Sequence, residues 1–480
     1  MNPGQSIYSK SFDFTGDGVD LWRLLRGEPY VFFLDSGQND LHRGRFSFIG
    51  YDPFDVFSPD GAGALGLLRQ RWREYVPEHP CSFKVACTPL AAGMVGCLSY
   101  DHGLYFEEIR RRPAEEAPLP DCHFGFYDRM ITVDHLERKV HITSTGLPER
   151  NDRLREGRAR RRLAETVALL APLLGGDSGQ NNDSPKWDEG YSPSYAGNFT
   201  RAQYMRAVRK ALDYIARGDI YQVNLSQRFR YDVSGHGFDP VRLYTLLHKI
   251  SPAPFGAFMD CGQFQLISNS PERFLRLDGR VVQTRPMKGT RPRGRDAAQD
   301  RMFRDELAGS DKEKAELLMI TDLQRNDLGK VCEYGSVRVK EIRTLEEYPY
   351  VFQATSTVEG ELRAGLDGFD VLRACFPGGS ITGCPKIRAM EIIEELEPSP
   401  RGMYTGSLGY IGFDGGMDFN ILIRTLIVRA DRLDVHVGAG IVADSTPEEE
   451  YAETLVKAGA IQHCLRASLA GGGAGDKALR

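Results

Sequence analysis

The stretch GSLGYIGFDGGMDFNILIRTLIVRADRLDVHV, residues 406–437, decides the fold class. It contains three apolar segments, at 406–413, 420–428 and 433–437, whose composition predicts β-strands. Short turns, one of them rich in glycine, connect the segments directly. Strands that follow one another in this way favour antiparallel sheets with helices on one face over a doubly wound parallel sheet.

The rest of the chain alternates in the same manner. Further strands are predicted at 30–34, 45–49, 130–133, 140–144 and 221–231, and helices at 151–173, 200–218, 311–327 (capped by Asp311), 387–396 and 447–465. A segment rich in Gly, Ser, Asn, Asp and Pro interrupts this pattern and lacks periodic apolar residues. The predicted organisation is therefore an N-terminal domain at 1–175, a linker at 176–198, a catalytic domain at 199–470 and a flexible tail at 471–480.

Composition excludes several classes of protein. The 480 residues are 41% hydrophobic and carry a net charge of −5, which argues against a general nucleic-acid binder. No apolar stretch reaches the roughly 20 residues of a membrane span, and the N-terminus lacks the apolar core of a signal peptide. The nine cysteines are scattered without zinc spacing, as expected in a reducing compartment. We expect a cytoplasmic protein that binds neither membrane nor nucleic acid.

A glycine-rich loop, GGSITGCPK at 378–386, leads into a predicted helix. Backbone N–H groups at a helix start attract anions such as carboxylate or phosphate. The loop does not match a Walker A motif, and a tight turn without a ligand explains the pattern equally well.

Three glutamates could hold a hard cation. Glu450 and Glu453 are three residues apart and share a helix face, although acidic residues also favour a first turn for dipole reasons. Glu316 lies in an otherwise apolar stretch, where a carboxylate needs a partner. Mg²⁺ prefers such oxygen ligands.

Two further residues have possible catalytic chemistry. Lys288 lies between Pro286 and Gly289, where it is either a nucleophile of lowered pKa or a solvated loop lysine. Glu272 is either a general acid or a partner of Arg273 in a salt bridge. None of the histidines in the C-terminal part falls inside these motifs.

Taken together, these motifs resemble the chorismate-utilising enzymes, which include component I of anthranilate synthase and of aminodeoxychorismate synthase. The matching segments, in family order, are YQVNLSQR (221–228), SPERF (270–274), RPMKGT (285–290), LMITDLQRND (318–327), FPGGSITGCPKIRAM (376–390) and GIVADSTPEEEYAE (440–453). The resemblance implies an α+β fold of two antiparallel β-sheets packed together and flanked by helices.

It also implies roles for individual residues. Glu316 and Glu453 would hold Mg²⁺ on the ring carboxylate of chorismate, with Glu450 nearby or acting through water. Glu272 would protonate the departing 4-hydroxyl group. The remaining implied substrate contacts are Gln222, Thr290, Thr382, Tyr410, Arg424, Gly440 and Lys457.

Two positions distinguish activities within the family. Isochorismate and salicylate synthases carry a water-activating lysine at the position of Gln222, so glutamine there implies ammonia as nucleophile. Aminodeoxychorismate synthases carry a lysine at the position of Lys288, whereas anthranilate synthases have a small residue. The resemblance therefore implies amination at C4 through a covalent Lys288 intermediate. Anthranilate synthase is the closest alternative, followed by isochorismate synthase and by an idle, amino-acid-sensing subunit.

Ammonia requires a source, and the sequence contains no glutaminase segment. A separate glutamine amidotransferase subunit is therefore the expected partner. The N-terminal part also resembles the region where relatives hold tryptophan, and the predicted pocket consists of Ser36, Arg43, Gly44, Arg45, Phe46, Pro254 and Phe255. Gln353 replaces a histidine that relatives often carry near the active site, so no histidine role is assigned.

Overall fold

The computed structural model describes residues 7–37, 44–76, 83–113, 118–174, 195–234, 238–348 and 351–470. The strands are β1 Tyr8–Asp13, β2 Phe32–Asp35, β3 Phe46–Gly50, β4 Asp55–Phe57, β5 Gly93–Leu98, β6 Cys122–Tyr127, β7 Arg129–Asp134, β8 Lys139–Ser144, β9 Tyr195–Gly197, β10 Gln222–Asp232, β11 Phe255–Asp260, β12 Gln265–Ser270, β13 Arg273–Asp278, β14 Val281–Thr284, β15 Met287–Pro292, β16 Arg338–Glu347, β17 Val351–Glu361, β18 Gly383–Cys384, β19 Ser407–Gly412, β20 Met417–Asn420, β21 Thr425–Arg429 and β22 Arg432–Ile441. The α-helices are α1 Gly18–Leu24, α2 Ala64–Arg73, α3 Asp152–Leu170, α4 Arg201–Ala216, α5 Pro240–Ile250, α6 Ala297–Gly309, α7 Asp311–Gly329, α8 Gly368–Cys375, α9 Lys386–Leu396 and α10 Pro447–Ala470. Short 3₁₀ helices cover Tyr100–Tyr105 and Gly379–Ile381.

These strands form two antiparallel sheets. In the larger sheet the order is β1-β8-β7-β3-β2-β11-β12-β21-β22-β10-β18, with β9 beside β10. In the smaller sheet it is β15-β17-β14-β13-β20-β19-β5-β6-β4, with β16 beside β17. The sheets pack against each other through a buried cluster in which the Tyr410 ring of β19 lies 5.5 Å from the Phe48 ring of β3.

Helices cover the outer face of the larger sheet. A second cluster packs Trp22 of α1, Leu163 of α3, Leu247 of α5 and Leu465 of α10 against its strands. The predicted α+β class, with two packed antiparallel sheets flanked by helices, is confirmed. None of the described helices is both long and apolar enough to cross a bilayer.

Both sheets contain strands from the N-terminal and the C-terminal parts of the chain. In the larger sheet Phe33 pairs with Phe258, and in the smaller sheet Val95 pairs with Tyr410. The segments 1–175 and 199–470 therefore share both sheets and both cores. Of the predicted linker, 176–194 lies outside the described residues, whereas 195–197 forms β9 on the larger sheet; the predicted tail at 471–480 also lies outside them.

Two local predictions are wrong. The apolar run 420–428 is not one strand, because Asn420 ends β20 in the smaller sheet and Thr425 begins β21 in the larger one. Between them the chain crosses from sheet to sheet, and Arg424 takes a positive φ of 50°. The helix α7 is capped by Ser310 rather than Asp311, because the Ser310 side chain accepts the hydrogen bond from Glu313 N.

Candidate active site

Lys288 lies where β15 loses its register with β17. The pairing shifts between Met287 and Thr290, and Gly289 takes a positive φ of 87°. An irregularity of this kind changes the direction of side chains, which otherwise point alternately to the two faces of a sheet. Lys288 Nζ lies 3.1 Å from Glu316 Oε2 of α7, and 21% of the lysine side chain is exposed. Lys288 is therefore a partly buried, ion-paired lysine and not a solvated loop residue.

Gln222 of β10 and Gly440 of β22 meet Lys288 from the larger sheet. A Cβ atom placed on Gly440 would lie 2.8 Å from Gln222 Nε2 and 3.0 Å from Lys288 Nζ. Because glycine has no side chain, Gly440 leaves room for the Gln222 amide and the Lys288 amine. Gln222 Oε1 is buried and has no hydrogen-bond partner among the described residues.

Glu272 follows β12 and is almost completely buried. Burial raises the pKa of its carboxyl group to about 7, against the opposing effects of a hydrogen bond from Ser380, the charge of Lys288 and the Met287 N–H. The alternative salt bridge to Arg273 does not form, because that guanidinium pairs with Asp418 at 3.0 Å. A carboxylic acid that is half protonated near neutral pH is suited to proton donation.

Ser380 is the residue of the glycine-rich loop that contacts Glu272. Its Oγ donates a hydrogen bond to Glu272 Oε1 at 2.6 Å. Thr382, the residue predicted to contact substrate in this loop, instead donates its hydroxyl to the carbonyl oxygens of Gly378 and Gly379 and is fully buried. The sequence offers only the polar, glycine-flanked character of the loop as a signal for Ser380, because the pairing with Glu272 spans more than 100 residues of chain.

Three of the predicted substrate contacts, Arg424, Thr290 and Tyr410, differ in how far they are exposed. Arg424 is exposed, yet surrounding protein lowers the pKa of its guanidinium through desolvation, and no charged group of the described residues acts on it. The exposure and the lowered pKa together fit a side chain that lines an open recess, where its guanidinium could bind an anion. Thr290 is exposed two residues after Lys288 on β15. The Tyr410 ring is buried between the sheets, where desolvation raises the pKa of its phenol.

The three predicted metal ligands each have a contact of their own within the protein. Glu453 pairs with Lys457 at 2.6 Å, and Lys457 also donates to Gly438 O. Glu450 accepts from Ser445 at 2.6 Å, and its other oxygen, Oε2, is buried without a hydrogen-bond partner among the described residues. Burial and the neighbouring charge of Glu453 raise the pKa of Glu450, although Ser445 opposes this.

Within the described ranges no three His, Cys, Asp or Glu side chains lie close enough to share a cation. The residues nevertheless fit Mg²⁺ by type. The partnerless oxygen of Glu450 beside the charge of Glu453 is an environment that a cation would stabilise. Magnesium binding remains a prediction.

Gln353 lies on β17, opposite Thr290 of β15. The side chain is buried, and its Oε1 has no hydrogen-bond partner in the part of the chain that the structure describes. This neutral amide therefore lies next to the strand that carries Lys288. Unlike a histidine, it cannot exchange a proton there.

The predicted tryptophan pocket is partly closed by its own contacts. Ser36 Oγ donates to Phe46 O at 2.6 Å, and the buried Gly44 precedes Arg45, whose guanidinium pairs with Asp134 and stacks on the Phe46 ring at 4.7 Å. Arg43 lies outside the described residues. Tryptophan binding stays a prediction.

The two residues of the predicted pocket that come from the C-terminal part of the chain line a different cavity. Pro254 and Phe255 line a small cavity together with Pro271 and Met287, the direct neighbours of Glu272 and Lys288. Pro254 and Phe255 therefore lie near the catalytic candidates Glu272 and Lys288.

Comparison with known proteins places the chain in a family. Residues 30–463 match the family model for chorismate binding enzymes. The chain is 41% identical over 459 residues to aminodeoxychorismate synthase component 1 of Klebsiella aerogenes, covering 92% of this chain and 95% of that protein. The chain belongs to the chorismate-binding enzyme family.

Other relatives in the family carry a different name. Anthranilate synthase component 1 of Thermus thermophilus is 38% identical over 461 residues, covering 94% of this chain and 95% of that protein. The crystal structure of anthranilate synthase component I from Streptococcus pneumoniae matches with a TM-score of 0.74 and 31% identity, covering 87% of this chain and 92% of that one. Overall similarity therefore identifies the chorismate-binding family, and the choice between its members depends on individual residues.

Proposed function

We propose that this chain is the chorismate-converting component of an aminodeoxychorismate synthase. It would replace the 4-hydroxyl group of chorismate with an amino group, giving 4-amino-4-deoxychorismate on the route to p-aminobenzoate and folate. The observation that carries the proposal is the position of Lys288, whose amine ends beside Gln222 and Gly440 and acts on Glu272 through its charge. An amine at this point can attack the ring, which the small residue of anthranilate synthases cannot do.

The proposed chemistry begins with covalent catalysis by Lys288. Once the Lys288 ammonium group has lost a proton to solvent, its neutral amine attacks C2 of chorismate, the ring double bond shifts, and the C4–O bond breaks. Glu272 gives its proton to the departing hydroxyl group, which leaves as water. The advantage is that one difficult displacement becomes two easier ones.

Ammonia then completes the exchange. It attacks C4, the double bond shifts back, and the bond between C2 and Lys288 breaks to release the neutral amine. The new C4 ammonium group returns one proton to the Glu272 carboxylate. Atoms and charges therefore balance as chorismate plus ammonia giving aminodeoxychorismate plus water, with both residues restored.

Substrate binding is assigned to cationic groups around these residues. Arg424 has no charged partner among the described residues, and its planar fork matches a carboxylate bidentately. A Mg²⁺ ion held by Glu316, Glu450 and Glu453 would supply positive charge for the second carboxylate of chorismate. Thr290 and Lys457 lie on the same elements as Lys288 and Glu453, respectively.

The proposed nitrogen source is a partner subunit. Relatives at 38–41% identity are named as component 1, which implies a second component. We assign that partner as a glutamine amidotransferase that delivers ammonia. Gln222 supports ammonia over water as nucleophile, because a carboxamide cannot act as the base that would activate water.

Product identity tests this proposal. Purified chain, chorismate, Mg²⁺ and an ammonium salt should yield aminodeoxychorismate by mass spectrometry, and p-aminobenzoate should appear only after a separate lyase is added. Fluorescent anthranilate without added lyase would reject the proposal in favour of the anthranilate alternative. Product formed equally well without any ammonia would instead indicate isochorismate formation.

A further inference from the structure

The loop Gly378–Thr382 is held in place by two buried cations, one on each side of Ser380. The loop matters because Ser380 Oγ donates the 2.6 Å hydrogen bond to Glu272. A hydrogen bond of this length between loop and carboxyl group requires the loop backbone to stay within a few tenths of an ångström of its position. The contacts that fix this backbone are therefore relevant to the chemistry of Glu272.

Lys386 holds the N-terminal side of the loop. Its ammonium group is buried and donates to Cys375 O at 2.9 Å and Pro377 O at 3.2 Å. Its charge is balanced by Asp327 of α7, at 2.7 Å from Nζ. Asp327 has a second cation at 3.0 Å, the partly exposed Lys330, which is the C-cap residue of α7.

Arg401 holds the C-terminal side. Its guanidinium is 1% exposed and donates to Ile381 O at 2.9 Å and to Asn224 O of β10 at 2.7 Å. Glu397 balances the charge through two hydrogen bonds, at 2.7 and 2.9 Å. One side chain therefore ties the loop to the strand on which Gln222 lies.

Burying these cations has no evident advantage for stability alone. A buried ion pair is often no better than a pair of well-packed apolar side chains, because desolvation cancels much of the attraction. What a buried cation does supply is several directed hydrogen bonds from one fixed point. Here those bonds end on the carbonyl groups of Cys375 and Pro377, just before the loop, and of Ile381, directly after Ser380.

We propose that Lys386 and Arg401 are positioning residues that fix the Gly378–Thr382 loop, and through Ser380 the Glu272 carboxyl group, for proton transfer to the leaving hydroxyl. The inference rests on the proposed function only in taking Glu272 as the proton donor.

The positioning of Glu272 can be measured through its pKa, which depends on few charged and hydrogen-bonding neighbours. Lys288 is the charged side chain that acts on Glu272, whereas Arg273 and Arg285 of the adjoining strands are paired with Asp418 and Glu346. The Ser380 hydrogen bond lowers the pKa of Glu272 against the effect of burial. Losing that bond raises the pKa, so the alkaline limb of turnover moves to higher pH.

The test compares the pH dependence of kcat/KM for chorismate consumption, with Mg²⁺ and saturating ammonium salt, across a set of variants. Ser380→Ala should move the alkaline limb up by about one pH unit, the equivalent of one hydrogen bond to a charged group. Ser380→Thr keeps the hydroxyl and should keep the limb in place. Lys386→Met, in which Lys330 still neutralises Asp327, should move the limb in the same direction as Ser380→Ala.

Controls separate positioning from stability. Lys330→Met removes the contact with Asp327 and the 3.2 Å hydrogen bond to Ala374 O, but none with Cys375 or Pro377. The alkaline limb of this variant should match that of wild type even if its Tm falls. The double variant Ser380→Ala/Lys386→Met should move no further than Ser380→Ala, because both changes act through one bond. If Lys386→Met does not fold, Arg401→Lys takes its place, because it keeps the charge but loses the Nη1 donor to Ile381 O.

An unchanged limb in Ser380→Ala overturns the proposal, whatever the other variants do. So does a Lys386→Met or Arg401→Lys variant that loses thermal stability while its limb stays at the wild-type pH, or additive shifts in the double variant. Chorismate consumption is measured irrespective of product, so formation of anthranilate would reject the proposed function and leave this comparison intact.

Discussion

Lys288 Nζ and Glu316 Oε2 lie 3.1 Å apart, so the proposed nucleophile and a predicted magnesium ligand share one ion pair. A cation bound to Glu316 would compete with the lysine for the negative charge of this carboxylate, whose Oε2 already lies against the ammonium group. Metal binding and the state of the nucleophile are therefore coupled through Glu316.

This coupling predicts opposite effects of two substitutions on metal affinity. Lys288→Ala should tighten Mn²⁺ binding, because it frees Glu316, whereas Glu316→Ala should weaken it by about tenfold or more, as loss of a metal contact does. Mn²⁺ titration followed by electron paramagnetic resonance measures the metal affinity of both variants and does not require catalytic activity. Glu448→Ala is the matched control, since Glu448 is exposed on the same helix as Glu450 and pairs with Arg209. Equal affinities in all three variants would remove Glu316 from the metal site.

Lys288→Ala should also reduce aminodeoxychorismate formation by about 100-fold or more, or about 3 kcal/mol in activation free energy. The reason is the loss of the covalent step, and a high concentration of ammonia should restore only part of the rate. Intact-protein mass spectrometry of chorismate-treated wild type without ammonia should detect an adduct that the variant lacks. Lys314→Ala removes a lysine exposed on the same helix as Glu316 and should leave the rate and the adduct unchanged. A wild-type rate in Lys288→Ala would exclude the covalent route.

Glu272 should control the alkaline limb of activity. Its pKa is raised to about 7 by burial, so the proton needed by the leaving group is present below pH 7 and lost above it. The kcat/KM profile of wild type should therefore fall above about pH 7, and Glu272→Gln should lower the rate by about 10²- to 10⁴-fold.

Glu394 provides a matched control, because its pKa is also raised to about 7, by burial and by the charge of Asp101. Glu394→Gln should leave the alkaline limb where it is. A limb that persists in Glu272→Gln, or disappears in Glu394→Gln, would contradict the assignment.

The same raised pKa predicts a pH-dependent stability. Folding raises the pKa of Glu272 from 4.5 to about 7, so the folded state holds this proton more tightly. The resulting stabilisation is fully present below pH 4.5 and lost as the pH rises through 7. Between pH 5 and pH 8 wild type should lose about 2–3 kcal/mol of unfolding free energy relative to Glu272→Gln. Urea unfolding of both proteins at the two pH values measures this, and parallel pH dependences would show that the carboxyl group is not buried as described.

Gly440→Ala should impair catalysis while sparing the fold. The added methyl group would lie within 3.0 Å of both Gln222 Nε2 and Lys288 Nζ, which are ends of flexible side chains and can move away. We expect a loss of turnover of about tenfold or more, with an unfolding free energy within about 1 kcal/mol of wild type. Gly438→Ala, two residues earlier on the same strand, would crowd the Tyr404 hydroxyl instead and serves as a control for strand distortion. An active Gly440→Ala enzyme would argue against close approach of Lys288 and Gln222 during turnover.

Local pattern was sufficient for the fold class and for part of the elements. The capping residue Thr200, the apolar periodicity of α4 and the alternation of β10 each act within a few residues, so helix and strand could be predicted from neighbouring positions. The run 420–428 shows the limit of this approach. Both of its ends are buried, and only the packing of the two sheets places Asn420 in one sheet and 425–428 in the other.

The sequence by itself determined which residue types are present for catalysis: a lysine at 288, a glutamine at 222, a glutamate at 272 and the carboxylates of the predicted metal site. Tertiary structure decided which of them meet. The contacts of Lys288 with Glu316, of Ser380 with Glu272 and of Gln222 with Gly440 join residues between 28 and 218 positions apart. It also decided their chemistry, since burial in the folded protein is what raises the pKa of the Glu272 carboxyl group to about 7.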